Sequence, residues 1–254
     1  MIKLNLPDSA YVRKKIQENG FVILKNVVSE TFIKNQKDRW CKKINSKKID
    51  KKFVRGGLFL GEKNFLSYSD IPSWCLYRNF EFLWNPSHDE EATEIHILLH
   101  KFRNKVQNFD ENYGLNYNKK NYGIYISTSL YEINKGHLVV HSDGHSNQPI
   151  IHYMLPYTFK NIDFETGGLV CEDNNGNMQD IESEIRPGDL IMFDGRKMHG
   201  VNKIRSNKKN HPGRIAAFSV PTFFSPEYGL KTFLRSLKIY ALEIANIIKI
   251  KKLN

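Results

Sequence analysis

The sequence predicts an α+β protein in which a core of short strands, arranged as a sandwich or barrel, is preceded and followed by helices. Two features carry this expectation. From about residue 122 to 224, short runs of β-branched and aromatic residues are separated by clusters of Gly, Asn, Asp and Pro, the signature of an all-β core. Outside that region, apolar residues recur at helical spacing. A length of 254 residues suits one medium-sized domain with a substantial interior.

The elements follow in order. Residues 8–19 read as a helix capped by Asp8 or Ser9 and stopped by Gly20. Residues 21–24 form a short buried strand, and Ser29 caps a second helix running to about Ile44. A loop-rich stretch leads to a third helix, where Ile95, Leu98, Leu99, Phe102 and Val106 repeat behind the acidic turn Asp89-Glu90-Glu91. Strands are expected at 125–131, 138–141, 150–155, 168–171, 189–193 and 215–220. The chain closes on an amphipathic helix carrying Leu230, Phe233, Leu234, Leu237, Ala241 and Ile244 on one face, read as core packing. No repeat or linker divides the chain, so 1–254 reads as one domain. Within it, 1–120 is helical and strand support with a lid, 121–224 the core and 225–254 the closing helix.

Composition narrows the function. Hydrophobic residues are 40% and charged residues 26% of the chain, ordinary for a soluble globular protein. No run is long and apolar enough to span a membrane, and the N-terminus opens no signal pattern. Cys41, Cys75 and Cys171 form no paired motif, which suggests reduced thiols and a cytoplasmic setting. The net charge of +11 rests largely on scattered lysines, read as a solvated surface, so a nucleic-acid partner is not expected. Neither a membrane partner nor any particular oligomeric state is implied; a homo-oligomer is compatible with the sequence.

The chemistry centres on His141-Ser142-Asp143, at the end of the apolar run Leu138-Val139-Val140. In a strand, residues i and i+2 share a face, so imidazole and carboxylate can grip one ion from one side. His199, beyond the apolar run 190–193, can supply a third ligand. Two histidines and one carboxylate on one face leave three positions of an octahedral iron open, the facial arrangement of non-haem Fe(II) oxygenases. Three further features follow in order: Gly167-Gly168 turning into a strand, Pro187-Gly188-Asp189 turning into another, and Arg214 opening the apolar strand 215–220. An arginine at the head of an apolar strand needs an anionic partner, and a dicarboxylate held bidentately fits.

These motifs in this order resemble the Fe(II)/2-oxoglutarate-dependent oxygenase superfamily, in particular its prolyl-hydroxylase-like branch, over residues 121–224. Residues 20–29 are also similar to the start of phytanoyl-CoA-hydroxylase-like enzymes. The resemblance implies a double-stranded β-helix, or jelly roll, with a cupin-like core. It implies Fe(II) held by His141, Asp143 and His199, with 2-oxoglutarate and O2 as cosubstrates. Arg214 would hold the distal carboxylate of 2-oxoglutarate, and Tyr131 and Tyr153 would line its pocket. Many members carry Ser or Thr where this chain has Ala216, so Ser127, Ser129 or a tyrosine would supply that hydrogen bond. Related halogenases lack a carboxylate at the position of Asp143, which points here to hydroxylation or desaturation.

For the substrate, the chain's compactness suggests a small polar molecule, an amino acid or derivative. Arg55, Trp74, Tyr77, Arg78 and Asn79 are read as a segment closing over the barrel mouth, with Trp74 and Arg78 contacting substrate. His137, His145 and His152, which flank the ligand motif, are read as contacts to substrate or to the ligands rather than as ligands, with His137 and His145 placed at the substrate. The alternative is an oxygenase acting on a macromolecule, either a protein side chain or alkylated nucleic acid.

Overall fold

A computed structural model describes residues 2–46, 51–52, 63–83, 85–115, 124–143, 150–208, 210 and 212–221. In chain order the described elements are α1 (Ser9–Asn19), β1 (Phe21–Leu24), α2 (Glu30–Asn45), β2 (Lys51–Lys52), β3 (Phe65–Ile71), β4 (Trp74–Phe82) and α3 (Glu90–Val106). Then follow β5 (Ile124–Tyr131), β6 (His137–His141), β7 (Ile151–Pro156), β8 (Thr166–Glu172), β9 (Met178–Asp180), a 3-10 helix (Ile181–Glu184), β10 (Leu190–Asp194), β11 (His199–Arg205) and β12 (Arg214–Pro221). The expected closing helix, together with Arg55 and His145, lies outside the described residues.

Helix boundaries are set by local chemistry. The Asp8 carboxylate accepts from the N–H groups of Ala10 and Tyr11, so Asp8 rather than Ser9 caps α1. Gly20 ends it in the left-handed region, at φ 85°, which a side chain would strain. Ser29 caps α2 through Phe32 N–H, and Asp89 caps α3 through Ala92 N–H. The acidic first turn of α3 and the basic Arg103 and Lys105 in its last turn both match the helix dipole.

All strands join one sheet in the order β1-β10-β7-β12-β5-β4-β6-β11-β8-β9, with β3 on β4 and β2 on β3. Nearly every pairing is antiparallel, and the sheet curls into the half-barrel of a jelly roll. Three parts differ from the sequence reading. Residues 65–82, read as loop and lid, form the hairpin β3–β4, whose second strand pairs with β5 from Tyr77↔Leu130 to Phe82↔Tyr125. His199 does not simply follow a strand but begins one, and residues 178–180 form a short edge strand.

Strand alternation sorts side chains onto two faces. On the outer face, Tyr153 of β7 meets α3: its hydroxyl lies 2.8 Å from His96 Nδ1. His96, His100 and Arg103 are buried along one side of α3. Arg103 donates to the Ser219 carbonyl and to His100. Burial pushes the His96 pKa down to about 3, so its ring is neutral between the two tyrosines it touches, Tyr153 and Tyr157. Tyr153 is therefore a helix-packing residue, which corrects its expected place in a cosubstrate pocket.

The Pro187-Gly188-Asp189 turn docks the N-terminal segment. Val27 N–H donates to the Gly188 carbonyl, and a side chain at Gly188, where φ is 90°, would strike the Val28 carbonyl. Asp189 is buried and accepts from Asn26 N–H, Arg186 N–H and the Lys25 ammonium at 2.9–3.1 Å. Asp189→Ala strands these donors and is expected to cost about 2–4 kcal/mol, measured by urea denaturation. A loss under about 0.5 kcal/mol, the level of a neutral surface change, would show that the turn is not the dock.

Candidate metal centre

His141 is the last residue of β6 and His199 the first of β11, and they are paired directly across the two strands. The next register pair is Val201↔Leu138, so β6 carries one extra residue over this step, a β-bulge. The bulge lets Leu138 and His141 both face the interior, although regular alternation would separate them. Gly200 makes room for it, because a Cβ there would lie 2.8 Å from the Leu138 carbonyl oxygen and 2.9 Å from Val140 Cα. The two imidazole rings stand 4.5 Å apart between centroids.

Asp143 reaches the same place without strand alternation, since β6 ends at His141. Its backbone N–H donates to the Gly195 carbonyl at 2.8 Å, fixing it beside the turn before β11. The carboxylate oxygens lie 3.5 Å from His141 Nε2 and 3.5 Å from His199 Nε2. Such separations are long for hydrogen bonds but suit donors on one cation, where ligands at about 2.1 Å and right angles stand roughly 3 Å apart. The three donor atoms lie within 4.8 Å of one another.

Ring orientation is equally suited. His141 Nδ1 lies 2.9 Å from the Val139 carbonyl, and His199 Nδ1 lies 2.9 Å from the Lys197 carbonyl. A carbonyl only accepts, so each Nδ1 carries a proton, and Nε2 of each ring is the nitrogen turned toward Asp143 and left for a metal. Burial raises the Asp143 pKa, but the three surrounding imidazoles outweigh it and hold the group well below the usual carboxylate range. The cluster thus offers two imidazole nitrogens and one carboxylate oxygen, the donor set that fits Fe(II).

The third of those imidazoles is His152, which the sequence reads as a contact to substrate or to the ligands and which the structure places on Asp143. Its Nε2 lies 2.7 Å from Asp143 Oδ2, and its ring packs against Phe193. A Cβ at Gly195 would lie 2.5 Å from His152 Cδ2, so the glycine leaves space for the ring. His152 and Met154 share one face of β7, opposite Tyr153, and that alternation was the signal that could have found it.

Arg214 opens β12, paired with Tyr131 and fully buried. Its Nε donates to Glu182 Oε2 at 2.8 Å, and Nη2 lies 3.0 Å from the Met154 sulfur. Its Nη1 has no partner among the described residues. The guanidinium stands 5.7 Å over the Tyr131 ring, which is buried and faces the interior. Met154 is two residues from His152, so Arg214 and the cluster look onto the same interior about 7 Å apart along the strand. A five-carbon diacid spans that distance, and the unpaired Nη1 suits its distal carboxylate. Cys171, opposite His199 on β8, lines this interior as a protonated thiol, its pKa pushed up to about 12 by burial.

The remaining expected site residues divide. Arg78 faces inward from β4 opposite Ser129, its Nε donating to Ser127 Oγ at 2.8 Å and its guanidinium 5.0 Å over the Phe218 ring. Trp74 packs with Ile133 and Leu138 on the small cluster around Leu76, Tyr131 and Val201. Tyr77 and Asn79 take the other face of β4, where Asn79 accepts from Lys43 of α2. His137 lies on the far side of the bulge, its ring nitrogens on the carbonyls of Lys135 and Pro72, which corrects its expected place at the substrate.

Anaerobic titration with Fe(II) or Co(II) checks the cluster. His141→Ala and His199→Ala are expected to weaken metal binding by more than the roughly ten- to hundredfold typical of residues behind a ligand, and His137→Ala to leave it unchanged. Loss of binding in the His137 variant with retention in the His199 variant would refute this assignment.

No protein-family model and no curated protein matches the sequence. Solved structures do. A prolyl-4-hydroxylase from Pseudomonas putida is 13% identical, with a TM-score of 0.56 over 84% of this chain and 97% of that one. A prolyl hydroxylase from Trichoplax adhaerens, in complex with a hypoxia inducible factor peptide fragment, is 15% identical, with a TM-score of 0.51 over 83% and 87%. The non-haem α-ketoglutarate-dependent carbocyclase SnoK from nogalamycin biosynthesis is 12% identical, with a TM-score of 0.53 over 85% and 83%. At these identities the likeness shows the fold, and the donor cluster is this chain's own. The chain thus shares the jelly-roll fold of these enzymes and carries a His-Asp-His donor cluster within it.

Proposed function

We propose that the protein is a 2-oxoglutarate-dependent dioxygenase that hydroxylates an unactivated C–H bond of a small polar metabolite, an amino acid or a derivative of one. The observation that carries this reading is the pairing of two features on one interior. His141, Asp143 and His199 present three donors to one point, and Arg214 Nη1, unpaired among the described residues, stands about 7 Å away along the strand.

In this reading His141 Nε2, His199 Nε2 and an oxygen of Asp143 would hold Fe(II), and Arg214 would hold the distal carboxylate of 2-oxoglutarate. When bound, these groups and O2 supply the oxidising power, with one oxygen atom ending in succinate and the other in the hydroxylated product. The chain's own contribution is positioning and exclusion of water. The carbonyls of Val139 and Lys197 hold both imidazoles in the ligating tautomer. Tyr131, Leu169 and Cys171 are buried and keep the interior apolar around the guanidinium. Arg78, a second guanidinium on the same face, suits the carboxylate of an amino-acid substrate.

The prolyl hydroxylases among the structural neighbours keep a protein side chain as the alternative substrate, and one assay separates the two. Succinate release in the presence of Fe(II), 2-oxoglutarate and O2 is expected to rise above its uncoupled rate with free amino acids, insensitively to salt. Arg78→Gln is expected to raise the KM for that substrate by about tenfold or more and leave the KM for 2-oxoglutarate unchanged. Arg214→Gln is expected to do the reverse. Stimulation by peptides or nucleic acid alone, falling steeply with salt, would overturn the metabolite reading.

A further inference from the structure

The Gly167-Gly168 turn and Glu182 have no part in the chemistry above, and the structure joins both to Arg214. Glu182 lies in the 3-10 helix beyond β9 and is 2% exposed. Its side chain passes directly over Gly168, where a Cβ would fall 2.5 Å from Glu182 Cγ. Gly168 also sits at φ 111°, a conformation that a side chain would strain. Beyond the glycine, Glu182 Oε2 accepts from Leu169 N–H at 2.7 Å and from Arg214 Nε at 2.8 Å. Gly168, a carboxylate and a guanidinium therefore form one buried unit.

The unit is incomplete. Glu182 Oε1 and Arg214 Nη1 are both buried, and neither has a partner among the described residues. A buried ion pair roughly balances its desolvation cost only when its remaining hydrogen-bonding groups are satisfied, and each orphaned group costs about 1–3 kcal/mol. The pair is therefore poorly explained as a structural clasp. The geometry of the guanidinium supplies a better account. Of its five N–H donors, those on the Nε edge face Glu182 and the Met154 sulfur. The end formed by Nη1 and the second hydrogen of Nη2 remains for a carboxylate.

We infer that Glu182 is a positioning residue for the cosubstrate: by engaging Arg214 Nε through the gap over Gly168, it turns the free end of the guanidinium toward the distal carboxylate of 2-oxoglutarate. This rests on the reading of Arg214 as the cosubstrate anchor. Without Glu182 the guanidinium is free to rotate, and its charge stays in the pocket without its aim.

The test is binding rather than turnover. Full-length protein loaded with Mn(II) under anaerobic conditions is titrated calorimetrically with 2-oxoglutarate and with 2-oxobutyrate, which has the keto-acid end and no distal carboxylate. Glu182→Ala is expected to weaken 2-oxoglutarate about tenfold or more, the worth of a charge-assisted hydrogen bond, and to leave 2-oxobutyrate unchanged. Glu182→Gln keeps an acceptor for both N–H groups and is expected to stay within about threefold of the parent, a small fraction of that bond. If the alanine variant does not fold, Glu182→Asp carries the test: its shorter arm withdraws from Nε, with the same selective loss expected. A folded alanine or aspartate variant that binds 2-oxoglutarate like the parent, or loses both ligands in equal proportion, overturns the inference. Selective loss of 2-oxoglutarate in Arg214→Ala, with Glu182→Ala unaffected, overturns it and spares the anchor. A parent protein that binds no 2-oxoglutarate overturns both.

Discussion

The interior of this protein depends on one backbone pairing, His199 against His141 across β11 and β6. Each histidine lies at a strand end, and each turns its Nδ1 onto a carbonyl two residues earlier in its own chain segment. The ring orientations are therefore fixed by local backbone, and the distance between the rings by strand register. A slip of one residue would send one imidazole to the opposite side of the sheet. The bulge in β6 and the bare Cα of Gly200 hold the register that avoids this. Asp143 then needs only a turn pinned by the Gly195 carbonyl to bring its carboxylate to the two Nε2 atoms.

The rest of the fold separates two kinds of buried polarity. On the outer face, Tyr153, Tyr157, His96, His100 and Arg103 bond to one another and to the Ser219 carbonyl and tie α3 to the sheet, with Arg103 Nε left without a partner among the described residues. On the inner face, Arg214, Glu182, Arg78 and Ser127 are aimed at the space beside the histidines. Outer polar groups finish a packing interface. The inner orphans Arg214 Nη1 and Glu182 Oε1, unpartnered among the described residues, belong to a single buried ion pair.

Much of this was legible in the residues. The β-branched runs at 125–131, 150–155 and 215–220 match β5, β7 and β12 within two residues, because central strands need apolar side chains on both faces. The helix caps were legible because Asp8 or Ser9, Ser29 and Gly20 carry specific local chemistry. His141, Asp143 and His199 were found by type and order. Their geometry was not, since a bulge leaves no mark in the sequence. His199-Gly200-Val201-Asn202-Lys203-Ile204-Arg205 is too polar to read as a strand, although its exposed residues lie on an outer surface. The β3–β4 hairpin reads as a lid because Ser, Asp, Arg and Asn interrupt its apolar residues, although Pro72-Ser73 marks its turn. Choosing Tyr131 over Tyr153 required register, because β7 is buried on both sides and shows no polar alternation.

The central claim is that the cluster and Arg214 bind one metal ion and one 2-oxo acid together. The most direct measurement is the visible absorption of anaerobic protein titrated first with Fe(II) and then with 2-oxoglutarate. A charge-transfer band from iron to a chelated keto acid should appear only when both are present, and should be absent in Asp143→Ala. Fe(II) bound with no band on adding 2-oxoglutarate, or an undiminished band in the Asp143 variant, would contradict the account.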